Sequence, residues 1–175
     1  MTIQDWGAAS EIIGAIAVIV TLIYLAVQIR QNTSQIRNEG HARITESYNV
    51  ILSQLLDDDE LFKLVVRGCQ DWEQLTAFEQ SRFHVLFHQH LMHLRMAYQL
   101  RNKDAIDEDV YQTIEDLHIK VMANPGALVW WNMVGKSLVQ DDLEKLIVKK
   151  LKESEGTDQV TTEAWEFYNP KNWAD

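Results

Sequence analysis

Residues 10–30 read SEIIGAIAVIVTLIYLAVQIR, and they decide the fold. Between Glu11 and Arg30 lie 18 consecutive uncharged residues. As a helix, a run of that length rises ~27 Å, and reaching back to Trp6 extends it to ~36 Å, against a hydrocarbon core of about 30 Å. Large apolar side chains point in every direction around it, so no face is left for water. Trp6 and Tyr24 suit the interfacial zone, where an aromatic body meets a polar tip. The competing reading is a soluble core helix, which rarely runs this far without charge. A cleaved secretion signal fits less well, because the residues before the run carry Asp5 and Glu11 and no Lys or Arg.

The flanking charges give a direction. Arg30, Arg37 and Arg43 follow the run and no basic residue precedes it. The positive-inside rule then puts the N-terminus outside and the C-terminal body in the cytoplasm of a bacterial inner membrane. A single cysteine, Cys69, cannot close an internal disulfide, which suits a reducing compartment. An inert, partly buried thiol is expected there.

Within the run, Gly7, Gly14, Thr21 and Gln28 recur every seven residues. Ser10, Ala17 and Tyr24 repeat with the same period, three positions on. Together they form one stripe of small or polar residues on a surface otherwise made of Ile, Val and Leu. In lipid, small residues let helix backbones approach, so the stripe reads as a self-association seam. Small residues are also common in any membrane helix, and chance heptads occur. Glu11 sits at the outer boundary, where it stays hydrated cheaply; in an oligomer it would ring a pore mouth.

Bulk composition fits one ordered domain plus this special segment, with 46% hydrophobic and 24% charged residues. A net charge of −10 excludes a nucleic-acid partner, since phosphate recognition wants a basic stripe. The basic KLIVKKLK cluster at 145–152 alternates with apolar residues and reads as the wet edge of an amphipathic helix.

The body is expected to be all-α. Ile36, Ile44, Tyr48, Ile51 and Leu55 keep helical spacing after the apolar run, so the first helix continues into the cytoplasm, with Gly40 a place to bend. Asp58 or Asp59 caps a short helix that stops at Gly68. Thr76-Ala-Phe-Glu79 is a capping box that opens a long helix to about Arg101. Asp107 caps the next, to about Ala123. Asn124-Pro125 opens another carrying Trp130 and Trp131, and Asp141 or Asp142 opens a last one to about Glu153. Three regions result: 1–30 transmembrane, 31–153 a cytoplasmic helical bundle, and 154–175 a polar connector with an aromatic tail (Trp165, Phe167, Tyr168, Trp173) that docks within the molecule or on a neighbour.

Three stretches in this order, W…EIIGAIAVIVTLIYLAVQIRQNT, LTAFEQSRF and NPGALVWW, resemble a widespread family of uncharacterised bacterial proteins. YLAVQIRQNT is the most specific piece, and the likeness covers roughly residues 6–139. The resemblance implies a single N-terminal membrane helix followed by a small helical domain. It brings no established activity and no catalytic residues.

Chemistry is sparse. FHVLFHQHLMHLR holds His84, His88, His90 and His93. His84 and His88 share one face of a helix at i,i+4, a spacing that can chelate a metal, whereas His90 and His93 lie on another side. The core stripe of the same helix is Phe83, Phe87, Leu91, Leu94 and Tyr98. Glu115-x-x-His118 is one copy of a motif that carboxylate-bridged di-metal bundles use twice. The expectation is therefore structural or surface histidines, no metal, no cofactor and no assigned reaction. Trp130-Trp131 reads as a packing anchor. No HExxH, GxSxG, P-loop, GxGxxG or cysteine pair occurs. The function expected is a self-associating bitopic membrane protein that presents a helical module to a cytoplasmic protein partner. A homo-oligomeric channel and a membrane-tethered metal-dependent enzyme are the alternatives.

Overall fold

The computed structural model describes the backbone of residues 3–154 and the side chains of residue 11 and residues 14–154. Six α-helices and two short 3-10 turns account for the secondary structure of these residues, and no strand occurs among them. The all-α expectation is met. The connector and aromatic tail beyond residue 154 lie outside the described residues.

Helix α1 runs unbroken from Ile3 to Asp57, about 80 Å at 1.5 Å per residue. Nothing in it forces an end, because the first proline of the chain is Pro125. Its two halves differ in surroundings. No residue of the apolar 18-residue window is buried, and exposures of 46–66% continue through Ile16, Ile19, Ile23, Leu25 and Ile29. The second half buries one face against the body, through Gly40, Ile44 and Ile51. That face begins later than the periodicity suggested: Ile36 is exposed, because the body first meets α1 beyond it.

Helices α2 (Asp59–Gln70), α3 (Ala77–Arg101), α4 (Glu108–Met122), α5 (Pro125–Met133) and α6 (Asp141–Ser154) build the body. Asp58 caps α2, accepting from the Leu61 amide at 2.9 Å. The capping box of α3 is complete: the Thr76 amide donates to Glu79 and the Glu79 amide to the Thr76 hydroxyl. Arg67 adds an ion pair to the same carboxylate, and these bonds hold Glu79 down to about 2.

Three local expectations need correction. Helix α2 runs through Gly68 to Gln70, since Gly68 is no left-handed terminator; it is where two backbones touch. A Cβ on Gly126 would strike the Gly68 carbonyl and the Trp72 amide, so Gly126 sets how closely α2 and α5 cross, while the missing Cβ of Gly68 makes room for Phe83 and Leu75. Gly40 likewise meets the backbone of Ala105, which makes it the docking point of the α3–α4 loop. Finally, Asp107 and Asn124 precede α4 and α5 but cap neither with a side chain. Asp107 receives Arg37 at 3.0 Å and His41 at 3.3 Å from α1, and Asn124 donates back to Val121 O at the end of α4.

The core centres on α3. Phe83, Phe87, Leu91 and Leu94 meet Ile119, Met122, Trp130, Trp131, Leu143 and Ile147. Tyr98, expected in this stripe, is only partly buried. A smaller cluster of Ile44, Ala97, Ile106 and Tyr111 joins α1 to the α3–α4 hairpin. Each fully buried aromatic or aliphatic side chain contributes about 1.5–3 kcal/mol, so α3 is the element the fold can least do without.

Candidate functional site

The seam residues take two forms in the structure. Gly7 and Ser10 lie on α1, and their side chains fall outside the described set. Gly14, Ala17, Thr21, Tyr24 and Gln28 are all exposed along one side of the free-standing half, as is Glu11. Gly14 has open space where a Cβ would be. The described polar groups of the stripe, Thr21, Tyr24 and Gln28, each make a hydrogen bond within the helix. Thr21 Oγ1 donates to Ala17 O at 2.8 Å, and Gln28 Nε2 to the Tyr24 hydroxyl at 2.7 Å. Satisfied in this way, they cost less to place against lipid or a dry partner helix.

The histidines divide. His84 Nδ1 accepts the indole N–H of Trp130 at 3.1 Å, which satisfies the polar atom of a ring that is otherwise sealed in the core. His84 and His88 stack with ring centres 6.0 Å apart. His90 and His93 turn inward and meet His118 of α4, a cluster the sequence did not announce. His118 is fully buried and His93 is 4% exposed.

The geometry of that cluster is specific. His118 Nδ1 lies 2.7 Å from Ile114 O, one turn back on its own helix. His93 Nε2 lies 3.1 Å from Ile44 O on α1. Between the rings, His93 Nδ1 and His118 Nε2 are 3.0 Å apart. The His90 ring stacks on His118 with centres 3.9 Å apart, and its Nε2 is buried without a hydrogen-bond partner. The Tyr48 ring of α1 covers His93 at 5.2 Å.

Burial governs the proton affinity of all three. It pushes His118 down to about 4, with the Ile114 carbonyl pulling the other way. His90 falls well below its ordinary value through burial and the charges of His118 and His93. His93 is lowered by burial and partly restored by the Ile44 carbonyl.

The Glu-x-x-His pair is split between two networks. Glu115, 4% exposed, receives the Tyr111 hydroxyl at 2.6 Å and Lys150 of α6 at 2.8 Å. His118 belongs to the histidine cluster. Among the described residues, no group of three or more His, Cys, Asp or Glu stands in an arrangement to hold a metal ion.

Two apolar hollows flank the cluster. One, of about 320 Å³, lies between α1 and α4 over Ile44, Tyr48, His93, Ile114 and Leu117. The other, of about 170 Å³, lies between α1, α2 and α3, with Ile51, Phe62, Val66, Cys69 and His90 in its wall. Cys69 is completely buried, more so than expected, and burial pushes its thiol up, away from nucleophilic chemistry.

Spacing on α4 held a signal for the buried network. Tyr111, Glu115, His118 and Met122 recur at helical intervals on one side, so a polar pair had to face the core. Compared with known sequences and folds, the chain matches no family model, no curated protein and no solved structure.

Proposed function

We propose that this chain is a single-pass bacterial inner-membrane protein whose apolar helix self-associates through the Gly14–Gln28 stripe, and whose cytoplasmic bundle is an interaction module for a protein partner. One observation carries the reading. A single uninterrupted helix is apolar and bare from Gly14 to Ile29, yet packed into a helical body over its second half. Bare Ile, Val and Leu on this scale need a non-aqueous surrounding. The basic flank of Arg30, Arg37 and Arg43 supports a reading with the N-terminus outside. The body docks at Gly40 and Ile44, about 15–20 Å past Arg30 along the helix. No reaction is assigned to the bundle.

The internal bonding of Thr21 and Gln28 favours a dry helix contact over a hydrated lumen, so the channel ranks second. Cell fractionation followed by mass measurement in lipid nanodiscs tests the proposal. The expected result is a chain that salt and carbonate leave in the membrane, that detergent releases, and that holds more than one copy per disc. A freely dispersed monomer recovered without amphiphile would overturn it.

A further inference from the structure

The His93–His118 contact contains a proton-counting conflict. A carbonyl oxygen can only accept, so the contacts to Ile44 O and Ile114 O each require a ring N–H. The 3.0 Å contact between the two rings requires one more. Three contacts therefore need three ring protons, and two neutral imidazoles carry two. With both rings neutral, one contact is left with two lone pairs face to face.

The weakest of the three can be identified. Ile114 O is one turn from His118 on the same helix, so that contact is fixed by local geometry. The ring–ring contact and the contact to Ile44 O are both buried, so enclosure does not separate them. Ile44 O already accepts the Ser47 hydroxyl at 3.0 Å and suffers least from losing His93. The neutral pair therefore places its protons at His118 Nδ1 and His93 Nδ1, and leaves His93 Nε2 bare against Ile44 O.

We propose that His93 and His118 form a one-proton switch at the joint between α1 and the bundle: neutral, the pair opposes a bare His93 nitrogen to the Ile44 carbonyl, and a single added proton bonds all three contacts at once. The site shares Ile44 with the cluster of Ile44, Ala97, Ile106 and Tyr111 that joins α1 to the α3–α4 hairpin. Uptake or release of one proton thus changes the grip of the body on α1.

The neighbours set the same rule from each side. From α1, Tyr48 covers His93 and brings no charge. On α3, His90 stacks on His118 and opposes a second positive charge, while its backbone carbonyl favours the charged His118. On α4, Glu115 is already engaged by Tyr111 and by Lys150 of α6. Cys69 of α2 shares a hollow with His90 and is held as the neutral thiol, and α5 carries no titratable side chain. Among the described residues no unengaged carboxylate faces the pair to neutralise a second proton, so the pair takes one and stops. Burial sets the uptake below the ordinary histidine value of about 6.5.

The test reads imidazole nitrogens and the Ile44 carbonyl carbon by NMR, on the isotope-labelled full chain in detergent micelles from pH 8 to 4. Circular dichroism is followed on the same samples. The expected result is two ring protons on the pair at pH 8, with His93 Nε2 bare. One further proton then enters in a single step, the Ile44 carbonyl shifts in that step, and helicity is retained. His93→Gln supplies both a donor and an acceptor without titrating, so it should abolish the pH-dependent shift at Ile44. Four results would overturn the proposal: a protonated His93 Nε2 at pH 8, uptake of two protons, a stoichiometric metal ion in tag-free protein, or helix loss before the proton enters.

Discussion

Lys150 of α6 and Glu115 of α4 meet at 2.8 Å, with the carboxylate side chain 5% exposed and the lysine side chain 35% exposed. The asymmetry matters. Glu115 depends on Lys150 and Tyr111 for every bond it has in the structure, whereas Lys150 keeps water on one side. The carboxylate correspondingly raises Lys150 above its ordinary value.

Lys150→Met should therefore cost more than Glu115→Gln with Lys150 retained. It leaves a buried anion with one neutral donor, at about 2 kcal/mol once partial water access is allowed for. The double variant should recover most of the loss. Urea unfolding of the three variants in micelles, followed by circular dichroism, checks the order.

Cys69 offers a reporter of native packing. It is fully enclosed, and burial disfavours the thiolate that every thiol reagent needs. The folded chain should stay unlabelled by a maleimide for hours at pH 7.5, and label stoichiometrically in denaturant. Rapid labelling without denaturant would mean that the hollow beside His90 opens in solution.

Acid should weaken the fold through the same histidines. All three have folded-state proton affinities below the unfolded value of about 6.5. A base lowered in this way binds its proton more tightly in the unfolded chain. Its contribution is complete above pH 6.5 and drains away as pH falls toward about 4. Across that window His118 alone accounts for roughly 3 kcal/mol. His118→Gln should flatten the pH dependence of the urea midpoint. An unchanged slope would separate these histidines from acid stability.

The long elements were legible because their signals are local. A capping box, a Pro at the first turn and an apolar run each state their structure within a few residues, and α3, α5 and α1 appear where those signals fall. What the residues could not announce depends on elements far apart in sequence. Gly68 looks like a helix stop until Gly126 is seen against it, and Asp107 looks like a cap until Arg37 claims it. The histidine cluster is the same case. His93 and His118 are 25 positions apart and are joined by a crossing of α3 and α4 that no spacing rule encodes. The small-residue stripe of α1 was fully visible in sequence, and its described residues from Gly14 to Gln28 are exposed in the single chain.

The α2–α5 crossing should be intolerant of one methyl group. In Gly126→Ala the added carbon meets backbone atoms of Gly68 and Trp72, which have no rotamer to escape into. The helices must separate, at about 1–3 kcal/mol, and Trp130 and Trp131 beside the crossing should loosen with them. Near-UV circular dichroism and the urea midpoint should both fall.

Gly14→Leu probes the seam without touching the body. In the single chain a Cβ there meets nothing within 4 Å and the position is exposed, so the fold of the bundle should be unchanged. In a helix pair joined through the small-residue stripe, leucine would hold the backbones apart. Association in micelles should weaken by at least about tenfold, or about 1.4 kcal/mol. Ile19 lies on the opposite side of the helix from Gly14 and Ala17 by the 100° step, so Ile19→Leu serves as the control and should leave association intact. Equal behaviour of the two variants in analytical ultracentrifugation would remove Gly14 from the contact, and with it the stripe as the surface that joins copies.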